Sequence, residues 1–179
     1  MLKKDLNGIW KLLNDKREIL CQVQVPGSVI AALYNEGSIG HPYYRMNEYD
    51  VKELFRKDYW FEREFILTKE ELENERVELV CEGLDTICHV FLNDTEIAYT
   101  TDMHRTYRID LKAYAKEGAN SLRVLCKSPL QYIDNYEYRK GKEIKYGTDC
   151  TTMGNQLIRK AHSMFGWDWG PELDRKSVV

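Results

Sequence analysis

The stretch running from Tyr59, YWFEREFIL, limits what this chain can become more than any other. Read as a strand, it puts Tyr59, Phe61, Arg63 and Phe65 on one face and Trp60, Glu62, Glu64 and Ile66 on the other, a period of two. The habit recurs along the chain. GIWKLL and ILCQVQVPG are short alternating runs broken by Asn14-Asp15, and RVELVCEGL sets Val77, Leu79 and Cys81 on one side. TICHVFLND is apolar on both faces, as a strand buried in a sandwich would be. Asn93-Asp94 makes a hairpin turn into TEIAYT, and TYRIDL and NSLRVLCKS follow, separated by a turn containing Gly118. About eight or nine short strands at spacings of ~8–15 residues, with little helix between them, predict an all-β antiparallel sandwich or jelly roll. One helix is expected early: Pro26-Gly27 ends a strand, Ser28 caps VIAALYNEG, and Gly37 stops it. Val29, Ile30, Leu33 and Tyr34 fall at helical spacing and should pack on the sheet. Residues 38–58, with HPYYRMNEYD, read as irregular.

Such a sandwich needs a core, and 179 residues with 43% hydrophobic and 31% charged side chains can bury one without staples. The net charge of −3 leaves no basic patch, so nucleic acid is not an expected partner. MLKKDLNGIW is positive but no apolar run follows it, which argues against a secretory signal and a membrane span and for a cytoplasmic protein. Cys21, Cys81, Cys88, Cys126 and Cys150 are odd in number and scattered, and form no C-x-x-C pair. They read as reduced thiols serving as small apolar residues. No ligand spacing joins them to His41, His89, His104 or His162 as a zinc site.

The regular sandwich should run over about 6–128. From 129 to 171 the chain is polar, tyrosine-rich and only weakly periodic, a long irregular extension of the kind more often functional than idle. It ends in FGWDWGP, residues 165–171. Trp-Asp-Trp suits a sugar: the C–H faces of a pyranose lie on indole, and its hydroxyls donate to a carboxylate. In a regular strand Asp168 would point away from Trp167 and Trp169, so one ligand could be shared only if the backbone is irregular. Gly166 and Gly170 allow that, and Pro171 turns Gly170 away from helix. The alternative has both tryptophans as core anchors and Asp168 accepting backbone N–H groups in a tight turn. A catalytic Asp168 is disfavoured, because glycoside hydrolysis needs two carboxylates and none here has a claim to pair with it.

VPGSVIAAL, HPYYRMNEYD, DYWFEREF, EGLDTICHVFLND, RTYRIDL and IRKAHSMFGWDWGP occur in this order, from about Leu6 to Pro171. In that order and at about those intervals the chain resembles the β-mannosidases of glycoside hydrolase family 2. EGLDTICHVFLND resembles the family's first domain in general, and RKAHSMFGWDWGP favours the mannosidase branch over the β-galactosidases and β-glucuronidases. Asn93-Asp94 stands where the family commonly has Asn-Gly, and Thr106 where it often has proline.

The resemblance implies a single N-terminal, galactose-binding-domain-like jelly roll over 1–179. It belongs to a retaining exo-enzyme that removes terminal β-mannose from oligosaccharides. The partners implied are that substrate and the immunoglobulin-like and TIM-barrel domains of the same polypeptide. Both catalytic glutamates sit on the barrel, so the chain alone is expected not to hydrolyse glycosides. No metal or organic cofactor is implied. Trp167, Asp168 and Trp169 become the substrate-contacting residues, lining the terminal-sugar pocket. Asn47 and Glu48 match a recurring Asn-Glu and are expected to be structural, between domains. Arg159 and Lys160 either orient Asp168 or form a solvated surface pair, and His162 is expected to pack. Tyr132, Tyr136, Tyr138 and Tyr146 fit an interface with the other domains better than a sugar-stacking platform. A free-standing carbohydrate-binding module is the reading from another class.

Overall fold

The computed structural model describes residues 2–140, 155–166, 170–173 and 176–178, with side chains of 136–140 and 155 excepted. Strands β1 (Gly8–Leu13) and β2 (Ile19–Val25) form a hairpin whose turn is held by Asn14 Oδ1, which accepts the Lys16 and Glu18 N–H groups at 3.0 and 2.9 Å. The two-residue β3 (Gly27–Ser28) leads into α1 (Val29–Asn35), where Ser28 Oγ accepts the Ala31 N–H as an N-cap. Gly37, at φ 82°, closes that helix in the left-handed region. The capping residue and the stop match the sequence expectation.

Residues 38–58 are less irregular than their composition suggests. They contain α2 (Asn47–Lys52) and a 3-10 turn at Glu53–Arg56, which bury Val51 and Phe55. Then come β4 (Tyr59–Leu67), α3 (Lys69–Glu73), β5 (Glu78–Cys81), β6 (Cys88–Leu92), β7 (Thr95–Thr100), β8 (Tyr107–Asp110) and β9 (Gly118–Cys126). Thr68 and Glu71 cap α3 reciprocally.

The main sheet has the order β2-β1-β4-β9-β6-β7, antiparallel throughout, and β5 pairs with β8 in a second layer. At its centre β4 and β9 pair along their whole length, from Tyr59 opposite Cys126 to Leu67 opposite Gly118. The inward set of β4 is the one the alternation requires: Tyr59, Phe61, Phe65 and Leu67 are buried. With Leu12, Val23, Val90, Leu92, Leu122 and Val124 they meet Leu79, Cys81 and Ile109 of the β5–β8 layer in one core. In β6 the neighbours His89 and Phe91 are only half-buried, so the strand covers one face fully and the other in part. Burial pushes the Cys81 thiol up to about 12, with Cys88 adding to it.

The stretch from 129 does not begin as an irregular segment. It opens with α4 (Pro129–Lys140), twelve residues long, that Ser128 starts by accepting the Gln131 N–H at 3.2 Å and donating to Phe55 O at 2.7 Å. Among its described side chains Leu130, Tyr132 and Ile133 pack inward against Ile87, Ile158 and Phe165, with polar and charged neighbours that blur the period. Beyond it lie 3-10 turns at Asn155–Leu157 and His162–Phe165, and β10 (Ser177–Val178), which pairs with β3.

Candidate functional site

Trp167, Asp168 and Trp169 lie outside the described residues; the chain on either side of them does not. On the leading side Ile158 and Phe165 are buried against Ile87 and Ile133. Arg159 forms a parallel bridge with Asp102, and its carbonyl accepts the Met103 N–H at 3.0 Å, while its side chain stays exposed. Gly166, at φ 90°, follows the last 3-10 turn in a region that side-chain-bearing residues rarely adopt, so that glycine does what its type suggested.

Lys160 departs from the solvated surface pair expected of it; its orienting of Asp168 lies outside the described residues. It is not solvated. Its ammonium is 1% exposed and bonds Oδ1 of Asp85, whose side chain is 2% exposed. That oxygen also accepts the Thr86 hydroxyl. Sequence reasoning passed over Asp85 entirely. Its one signal was position: an aspartate beside Leu84, opening the apolar run EGLDTICHVFLND. His162 is exposed, so the packing expected of it is not found.

On the trailing side Leu173 is buried with Ile30, Val51 and Phe55. The Glu172 N–H donates to Glu48 Oε1 at 3.2 Å, and Lys52 Nζ bridges Glu48 (3.3 Å) and Glu172 (3.2 Å). Partial burial alone would lower the Lys52 pKa; its hydrogen bonds and charge contacts with Glu172, then Glu48, carry it above the usual lysine value. Glu48 is therefore tied to the end of the FGWDWGP segment, a contact its sequence position did not disclose. Asn47 donates to His41 O at 2.9 Å and holds its own turn.

Lys176 is 2% exposed; its ammonium donates to Phe55 O at 3.0 Å and lies 5.8 Å from the Phe55 and Tyr59 ring centres. Its carbonyl accepts the Val29 N–H, and the Ser177 carbonyl accepts the Asp85 N–H at 2.9 Å. Both flanks are thus built into the sandwich.

Beside the leading flank is an open hollow of about 370 Å³, lined by Ile87, His89, Tyr99, Gln131, Tyr132 and Asn135 among others. Burial first, then the nearby Tyr132 and Cys88, raises the Tyr99 phenol above its ordinary value. Tyr132 packs against the Ile87 and Phe165 cluster. Tyr136, Tyr138 and Tyr146 lie outside the described side chains. The carboxylates of the two flanks, Glu48 and Glu172 on Lys52 and Asp85 on Lys160, are each paired with a lysine.

Over residues 10–177 the sequence matches a family described as glycosyl hydrolase 2 galactose-binding domain-like. The chain belongs to that family. Its relatives point to one branch. The β-mannosidase of Capra hircus is 32% identical across 97% of this chain. The crystal structure of a β-D-mannosidase from Dictyoglomus thermophilum superimposes with a TM-score of 0.84 at 27% identity, covering 99% of this chain and 22% of that one. A β-glucuronidase from an uncultured Clostridium shares the fold, with a TM-score of 0.52, 21% identity, and coverage of 69% of this chain and 22% of that one. The jelly-roll reading and the family resemblance both hold. This glycosyl hydrolase 2 domain spans only about a fifth of the goat relative, 20% of its length. Among the described residues no helix is long and apolar enough to cross a membrane.

Proposed function

We propose that the chain is the N-terminal domain of a retaining exo-β-mannosidase. It braces a catalytic barrel and lends Trp167, Asp168 and Trp169 to the subsite for the terminal mannose. One observation carries the reading: likeness to the Dictyoglomus β-mannosidase covers 99% of the chain at a TM-score of 0.84, whereas likeness to the glucuronidase covers 69% at 0.52. The anchoring on both sides supports the same role, since a substrate-contacting loop gains from fixed ends. The domain needs no cofactor. Its four described cysteines are free and buried, which suits the reducing cytoplasm.

The test compares aryl β-mannoside, β-galactoside and β-glucuronide as substrates of the complete polypeptide, with and without Asp168→Ala. The mannoside should be strongly preferred, and Asp168→Ala should lower kcat/KM by about a hundredfold or more, as expected on removing one strong transition-state hydrogen bond. The chain by itself should hydrolyse none of the three. Preference for another sugar would overturn the mannosidase reading. Full activity in Asp168→Ala would overturn the subsite role and leave Asp168 a turn residue.

A further inference from the structure

We propose that Asp85 is a positioning residue that ties together both ends of the segment carrying Trp167, Asp168 and Trp169. Its carboxylate holds Lys160, seven residues before Trp167. Its backbone N–H holds the Ser177 carbonyl at 2.9 Å, eight residues after Trp169. One residue therefore grips the chain on the way out and on the way back. Leu84, its neighbour, adds an antiparallel bridge to Val178.

The coupling between the two grips is electrostatic. A carboxylate and an ammonium at 2% and 1% exposure stabilise one another, because a buried charge without an opposite charge is costly to take out of water. Among the described residues Asp85 Oδ2 has no hydrogen-bond partner, so the carboxylate leans on what Oδ1 receives from Lys160 and Thr86. If the ammonium is lost, the carboxylate must move toward water. The backbone N–H that holds Ser177 moves with it, so a change before the loop is transmitted to the chain after it. Apolar packing could anchor either flank without linking them, which gives a buried charge pair a purpose here that Phe165 and Leu173 do not serve.

The kinetic part of the proposal rests on the substrate-contacting role given above to Trp167, Asp168 and Trp169; the structural part does not, and the two are read separately. Hydrogen exchange by mass spectrometry on the 179-residue chain compares the parent with Lys160→Met and Lys160→Arg. Lys160→Met should raise exchange about tenfold or more in both 156–166 and 170–178, with β4 and β9 within about twofold of the parent, and Lys160→Arg should restore protection. Should Lys160→Met fail to fold, Lys160→Gln, which keeps a polar contact to the carboxylate but not the charge, is read by the same criterion. A rise confined to 156–166, a rise shared equally by β4 and β9, or no rise would each overturn the clamp.

In the complete enzyme Lys160→Met should lower kcat/KM on the aryl mannoside by about tenfold or more below its melting temperature, with Lys160→Arg within about threefold of the parent. The core variant Val124→Ala should keep its kcat/KM while folded. An equal loss in Val124→Ala would reduce Asp85 and Lys160 to general stability. Asp168→Ala should leave exchange at both flanks unchanged. If turnover survives Asp168→Ala while Lys160→Met still loosens both flanks, the sugar reading fails and the clamp stands.

Discussion

The β4–β9 ladder and the two flanks around FGWDWGP both set buried side chains into the fold but are held by different forces. In the ladder, Phe61 and Val124 sit at 0% and 1% exposure among other apolar side chains. Their attraction is non-directional and roughly proportional to area, so a neighbour of similar volume would serve as well. The flanks also bury Phe165 and Leu173, yet the contacts that fix where they lie are charged: Lys160 on Asp85, Lys176 on Phe55 O, Lys52 between Glu48 and Glu172. Such contacts add little net stability over apolar replacements, but they accept one geometry and reject its neighbours. A domain that only had to stay folded could do without them. One that has to present a loop in a fixed place gains from them.

The largest expected effects break this comparison open. Phe61→Ala should cost about 3–5 kcal/mol, read from the urea midpoint, and adding Val124→Ala should deepen the loss. Lys160→Ala should cost a similar amount, about 3–5 kcal/mol, because it strands the Asp85 charge. There the second substitution should act in the opposite sense: Asp85→Leu with Lys160→Met should recover most of the stability. If the paired change instead adds to the loss, the flanks are held as the ladder is, and the distinction drawn here is wrong.

That difference in force also decided what could be read in advance. Area-driven packing leaves a period in the sequence, and so YWFEREFIL declared the buried face of β4, and Ser28 and Gly37 declared the ends of α1. Charge pairs leave no period. Asp85 and Lys160 are seventy-five residues apart, and nothing in either neighbourhood names the other. The same holds for Glu48 and Glu172, 124 residues apart. Helix α4 escaped for an intermediate reason: among its described side chains the inward set is Leu130, Tyr132 and Ile133, which does not stand out among the neighbouring tyrosines and charges. The loop was picked out by residue type and resemblance, while the residues that carry its ends emerge only in the folded chain.

A smaller effect separates the two regions by pH. In the sandwich, the Glu71 carboxyl is held below its usual value, first by the Lys4 ammonium at 2.8–2.9 Å and then by the Thr68 N–H. A depressed carboxyl contributes stability above its unfolded value near about pH 4.3 and loses it as pH falls through the folded one. Lys52 at the flank is raised, so its contribution is complete below about pH 10.4 and disappears as pH climbs through its folded value. Glu71→Gln should thus differ from the parent at pH 7 and converge with it in acid. Lys52→Met should cost less than about 1 kcal/mol at pH 7 and converge in alkali. Denaturant titrations of both variants across the two limbs check the signs. Convergence of both on the same limb would remove the distinction.

The smallest test lies inside the sandwich, where a charge contact intrudes on the apolar region. Asn93 and Asp94 form the β6–β7 turn at φ 48° and 69°, the left-handed conformation that favours glycine at the second position. Asp94 nevertheless has a partner: it bonds Arg123, whose side chain is 7% exposed, while its own is 87% exposed. Asp94→Asn removes the charge and keeps a residue that tolerates the turn, so it reports the pair alone. Asp94→Gly removes the charge and relieves the backbone. Asp94→Gly should therefore be the more stable of the two by about 0.5–1 kcal/mol in thermal unfolding. Glycine gives back part of that gain through the freedom it adds to the unfolded chain. If Asp94→Asn matches or exceeds it, the turn is set by the neighbouring amides, where Asn120 Oδ1 accepts from Asn93 at 2.8 Å, and backbone strain at residue 94 contributes little.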